Sequence, residues 1–195
     1  MAKREAPEVN AGSMADIAFL LLIFFLVTTT IETDTGINRK LPPIDDSTED
    51  VIIKQKNIFT VLINGKDQLL VEDERMELKD LRKAAVEFLD NGGDGTCDYC
   101  RGKKNPSSSD NPDKAIISLK NERETSYKMY VSVQNELVAA YNELRDKRAM
   151  SLYKKTFTEM QADYDNVNWV GNKEKLKEKL DKIKAEYPQK LSEVQ

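Results

Sequence analysis

The sequence contains no histidine. That absence removes His-based nucleophilic triads, imidazole general bases and His-ligated metals together. Cysteine is scarce, with Cys97 and Cys100 the only two, and a zinc ribbon needs two such pairs or added histidines. A basic block is missing as well. The 30 Lys and Arg are outnumbered by 34 Asp and Glu, for a net charge of −4, so no nucleic-acid partner is expected. There is no glycine-rich phosphate loop and no nucleophile–base pair, which makes a tethered enzyme the weakest class of reading. No cofactor is expected.

Charge is also missing locally. From Val9 to Ile31 the only ionisable side chain is Asp16, in a chain where 33% of residues are charged. Residues 17–31, IAFLLLIFFLVTTTI, form an uncharged run of 15, short of the roughly 20 apolar residues of a membrane span. Extended back to Val9, the stretch gives roughly 34 Å of helix, enough to cross a bilayer with some tilt. Lys3, Arg4 and the run's length fit a cleaved signal peptide, but Glu5, Glu8, Asp16 and the absence of an Ala-x-Ala site do not. A buried helix of a soluble domain is the second reading, and an uncleaved signal anchor is the third and preferred one. Lys3 and Arg4 before the span balance Arg39 and Lys40 after it, so the positive-inside count is a tie. A short tail against a long following domain still suggests tail in, domain out.

A central Asp costs about 2.5–3.5 kcal/mol on insertion and usually faces a bundle interior or a water-filled path. Asp16 is either shallow, snorkelling to the interface four residues past Gly12, or a proton carrier that cycles between neutral and charged forms. One span cannot seal a proton path alone, so the second reading requires partner helices. At about 100° per residue, Leu20, Ile23, Val27 and Thr30 share the face of Asp16. Thr30 is a proton-path candidate, or with Thr28 and Thr29 simply the polar end of the span.

The residues Asn10-Ala11-Gly12-Ser13-Met14-Ala15-Asp16-Ile17, the apolar run to Val27, and Leu41-Pro42-Pro43 together resemble the ExbD/TolR family. The resemblance is specific over residues 10–43. It implies a short cytoplasmic tail, one inner-membrane span with an essential Asp near its start, and a periplasmic domain. It also implies a multi-span partner of the ExbB/TolQ type, a TonB-like or Tol protein driven by proton flow, and a dimer inside a larger ring. Asp16 falls on the family's proton-carrying position and Asn10 lies six residues before it. Ser13 departs from the pattern, since family members commonly have Pro there. Leu41, Pro42 and Pro43 form a stiff linker motif, with a role beyond spacing if the resemblance holds and a plain tether otherwise.

Beyond residue 57 the patterns change. IFTVLI (58–63), Asn64-Gly65 and a short run at Leu69–Val71 signal a hairpin. Leu78, Leu81, Ala85 and Phe88 mark an amphipathic helix, AIISL (115–119) a strand, and Tyr130, Val133, Leu137, Tyr141 and Leu144 a longer helix. The order strand-strand-helix-strand-helix predicts a small two-layer α+β domain, which is also what the family's periplasmic domain looks like. Leu176, Leu180, Ile183 and Tyr187 mark a last Lys/Glu-rich helix, and the segment after Pro188 could add a strand. The expected division is therefore a tail at 1–8, a span at 9–31, a linker at 32–57, a domain at 58–150 and a helical extension at 151–195.

Between the first helix and the third strand lies a Gly-, Ser- and Asn-rich loop, 91–113, where the family members compared have a short turn. Lacking apolar periodicity, it is expected to be dispensable for folding. Its Cys97-x-x-Cys100 is a possible local disulfide in an oxidising periplasm; a thioredoxin-like motif would instead open a helix after a strand. Asp90, Asp94, Gly95 and Asp98 partly mimic a calcium loop, but Gly92 and Arg101 stand where ligands belong. No metal site is expected. Two functions remain: a proton-driven energy transducer serving a TonB-like protein, or a membrane-anchored Tol-type module binding the cell wall, with Asp16 incidental.

Overall fold

The structure is a computed structural model that describes residues 11–28 and 54–194. The chain divides into two units, Met1–Leu41 and Pro42–Gln195.

In the first unit, α1 (Ala11–Thr28) is a single helix of 18 residues. Met14, Ile17, Phe19, Leu22 and Phe25 point in different directions around its axis and are all exposed, so the helix has no polar face to give to water. Its 18 residues rise about 27 Å, against a hydrocarbon core about 30 Å thick. Among the described residues no helix is long and apolar enough to cross a membrane. The ends of the expected span, residues 9–10 and 29–31, lie outside the described residues, as do the tail 1–8 and the linker to residue 53.

The second unit runs β1 (Ile58–Ile63), β2 (Leu69–Val71), β3 (Glu74–Met76), α2 (Leu78–Leu89), β4 (Ile116–Asn121), α3 (Tyr127–Tyr153), α4 (Phe157–Asp165), α5 (Lys173–Glu186) and β5 (Leu191–Val194). Its sheet has the order β3-β2-β1-β4-β5. It is mixed: β1 pairs antiparallel with β2 and parallel with β4, and β4 pairs parallel with β5. Alternation decides the faces. Phe59, Val61 and Ile63 are buried with Ile117 and Leu119 on one side, while Thr60 is exposed on the other. The buried face packs on Leu81, Ala85 and Phe88 of α2 and on Val133, Leu137 and Tyr141 of α3. The expected two-layer α+β arrangement is thus present, with additions.

The expected element order is incomplete in three places. The β2–β3 hairpin turns on Glu72 and Asp73, both with positive φ (51° and 67°). Such two-residue turns normally use Asn-Gly, so Glu-Asp carries no warning of one. Glu72 is held by its own bonds, its N–H donating to Thr60 O at 3.0 Å and its Oε1 accepting from Thr60 N–H at 2.8 Å. The helix α4 was not expected; a capping box of Thr156 and Glu159 starts it. Finally, the C-terminal stretch is more than a helical extension, although the strand expected after Pro188 is present as β5. Residues Ala149, Phe157, Met160, Leu176, Leu180 and Ile183 build a second core, and the chain then returns β5 to the main sheet, with Tyr187 buried in the first core.

The hairpin expected around Asn64-Gly65 is present, with Ile63 paired to Leu69 and a loop spanning 64–68. Asn64 Oδ1 organises that loop, accepting from the N–H of Lys66 and Gln68 at 3.0 and 2.8 Å. The loop 91–113 is built into the domain rather than appended, with Asn91, Ser109 and Asp110 buried.

Candidate functional site

On α1, Asp16 is the only charged residue among 18 and it is exposed, as are Leu20 and Ile23 one and two turns along the same face. Val27 continues that face in the helix. Ser13 lies within the first turn of α1. Asn10, Thr30, Leu41, Pro42 and Pro43 lie outside the described residues. An exposed carboxylate on an otherwise apolar helix can neither satisfy itself nor bury its neighbours. A lone carboxylate in such surroundings is costly to place in an apolar medium without a polar partner.

The second unit concentrates its polar chemistry around the 91–113 loop. Asn91 is the hub. Its Nδ2 donates to Asn105 O and Ser109 O, both at 2.8 Å, and its Oδ1 accepts from Asn105 N–H at 2.9 Å. Gly93 and Gly102 are forced by close approach, since a Cβ at Gly102 would sit 2.4 Å from Asp90 O. Asp110 reaches the domain's entry: its N–H donates to Asn57 Oδ1 at 2.8 Å, its Oδ2 accepts from Asn57 Nδ2 at 3.3 Å, and Lys56 pairs with Oδ1. The Lys56 ammonium, more than the Asn57 bond, holds the Asp110 carboxyl below the ordinary carboxylate range against the cost of burial.

The other side of the loop reaches the C-terminal end of α5. Cys97 and Cys100 are joined by a disulfide. Between them Tyr99 donates its hydroxyl to Glu186 O at 2.8 Å, sets its ring edge-on to Tyr187 at 5.4 Å, and lies under the Arg148 guanidinium at 5.0 Å. Tyr187 in turn donates to Asp90 Oδ1 at 3.0 Å. Burial pushes the Asp90 carboxyl up, partly offset by that bond and by the N–H of Arg101; burial also pushes the Tyr187 hydroxyl up. A cleft of about 90 Å³ opens among Asp90, Tyr99, Arg101, Arg148 and Tyr187. A shallower groove of about 500 Å³ between α2 and α3 is lined by charged side chains, of which Arg82 and Glu136 are paired bidentately.

Neither cleft joins a nucleophile to a base, and among the described residues no group of His, Cys, Asp and Glu could hold a metal ion. Sequence reading missed Asn57, Asn91 and Asp110. Only the Asn-Gly-Gly at 91–93 hinted at a specific turn, and no local signal links Asn57 to Asp110.

Residues 2–146 match the family model described as "Biopolymer transport protein ExbD/TolR". Over 87 residues, 45% of the chain, the sequence is 29% identical to the "Biopolymer transport protein exbD2" of Vibrio cholerae serotype O1 (strain ATCC 39315 / El Tor Inaba N16961). That match covers 61% of the Vibrio protein, so the chain spans about three-fifths of the curated relative's length. The family match ends seven residues or so before α3 does, at 146, leaving the second core outside it.

Proposed function

The chain belongs to the ExbD/TolR family, and from that premise we propose that it is the proton-motive-force-driven, energy-transducing subunit of an ExbB/ExbD-type inner-membrane complex. In this reading it energises a TonB-like protein for outer-membrane transport and is not an enzyme. The observation that carries it is Asp16, the sole charge on an exposed helix that is apolar on every side. Residues 9–31 would span the inner membrane once, with the tail cytoplasmic and the domain periplasmic. Asp16 carries the proton, and Thr30 extends its path outward. A multi-span ExbB/TolQ-like protein supplies the enclosing helices, around a dimer of this chain. Each charge moved through 100 mV supplies about 2.3 kcal/mol, enough to bias a protein interface and too little to unfold a domain.

Asp16→Asn tests this reading, because the amide keeps the size and most hydrogen bonding but cannot ionise. Insertion should be equal or better and assembly with the partner retained, while proton-driven uptake is abolished. Asp16→Glu should restore only part of it, since the extra methylene displaces the carboxyl in a packed path. Full activity of Asp16→Asn in a strain without a paralogue would favour the Tol-type binding module with no proton role.

A further inference from the structure

We propose that the Cys97–Cys100 disulfide is a redox latch on the junction between α5 and β5, closed when oxidised and opened by a dithiol reductant. The claim goes beyond the transducer reading and does not rest on it. Three contacts tie the short disulfide loop to that junction, and all run through Tyr99: the hydroxyl on Glu186 O, the ring against Tyr187, and the Arg148 guanidinium over the same ring. Arg148 itself holds the Glu186 carboxylate bidentately, at 2.6 and 3.0 Å. Tyr99 is thus fixed by the one covalent loop in the chain, and it rests on the two residues that lead into the last strand.

Hydrogen bonds anchor the loop's two flanks, from Thr96 N–H to Asp94 Oδ1 and from Arg101 N–H to Asp90 Oδ2, and between them the disulfide closes the turn that carries Tyr99. Cys100 is buried and its N–H donates to Cys97 Sγ at 3.1 Å. Gly92, at φ +67°, lies so close beneath that a Cβ there would stand 2.9 Å from Cys100 Cβ. Cys97 is only half-buried, so it is the sulfur a reductant can reach. A thiolate of the dithiol attacks Cys97 Sγ, the S–S bond breaks, and its electron pair leaves on Cys100. The reductant's second thiolate then resolves the mixed disulfide. Two electrons and two protons pass to the protein, leaving two thiols, and the reductant leaves as its own disulfide. Once open, the loop no longer constrains Tyr99, and the Glu186–Tyr187 step loses its cover.

The test is amide exchange on the full-length protein in detergent, before and after millimolar dithiothreitol, with thiols counted in the folded state. Reduction should speed exchange across residues 186–194 by about tenfold or more while β1 and β2 keep their protection, and reoxidation should reverse it. Tyr99→Ala, with the disulfide intact, should give the same local acceleration and make it indifferent to dithiothreitol. The latch is refuted if dithiothreitol leaves the bond closed in the folded protein, if exchange at 186–194 does not change on reduction, or if protection falls equally throughout the sheet.

Discussion

A carboxylate with almost no surface of its own has to be matched by donors, and Asp110 is matched by residues 53 and 54 positions away in the chain, Asn57 and Lys56. Its folded-state affinity for a proton is below the ordinary one, with the Lys56 ammonium as the main cause. A depressed carboxyl contributes stability that is present above its unfolded value, about 3.9, and is lost as pH falls through the lower folded value. Asp110→Asn should therefore cost about 1–3 kcal/mol at neutral pH. The gap between wild type and variant should stay flat from about pH 7 to pH 5 and close below about pH 4. Thermal melts of the two proteins across that range check it, and a gap unchanged at about pH 3 would show that Asp110 acts by shape rather than by charge. Asp90 runs the other way. Its raised carboxyl favours folding in acid and gives that advantage up as pH rises past its ordinary range.

At the scale of elements, legibility followed apolar period. The strand 58–63 and the helices around Leu81 and Leu137 were readable because each buries one face against a common core. What the sequence hid is held by polar side chains or by unusual backbone. The hairpin at Glu72-Asp73 uses left-handed residues that give no Asn-Gly signal. The 91–113 loop has no apolar period at all, and its order comes from Asn91, Asp110 and Tyr99 reaching distant elements. Of the candidate site, Asp16 was readable as an isolated charge, whereas nothing local marks Asn57 as the partner of Asp110. The expectation of a dispensable loop therefore reverses. Replacing residues 92–112 by a short Gly-Ser link should lower the melting temperature of the full-length protein's folded domain by about 10 °C or more, since several buried hydrogen bonds are worth roughly 1 kcal/mol each. A shift of only a couple of degrees would mean that the loop's bonds merely replace those water would make.

At the scale of the whole molecule, the two units make opposite demands on their surroundings. The domain satisfies itself: its strands share one core, and α4 and α5 close a second before β5 rejoins the sheet. The helix α1 does not, because Ile17, Phe19, Leu22 and Phe25 are exposed around it and Asp16 has an apolar run on one side. A lipid tail would meet the leucines and phenylalanines but not the carboxylate, which needs water or polar helices beside it. We therefore predict that the partner proposed for this chain recognises α1 itself, without need of the domain. Full-length protein should bring down a multi-span membrane protein from detergent extracts, and a variant lacking residues 11–28 should lose it. A chain cut after the linker, keeping residues 1–53, should retain it. Loss of the partner from that shorter chain, with the helix still inserted, would move the contact to the domain and leave Asp16 without the enclosing helices a proton path requires.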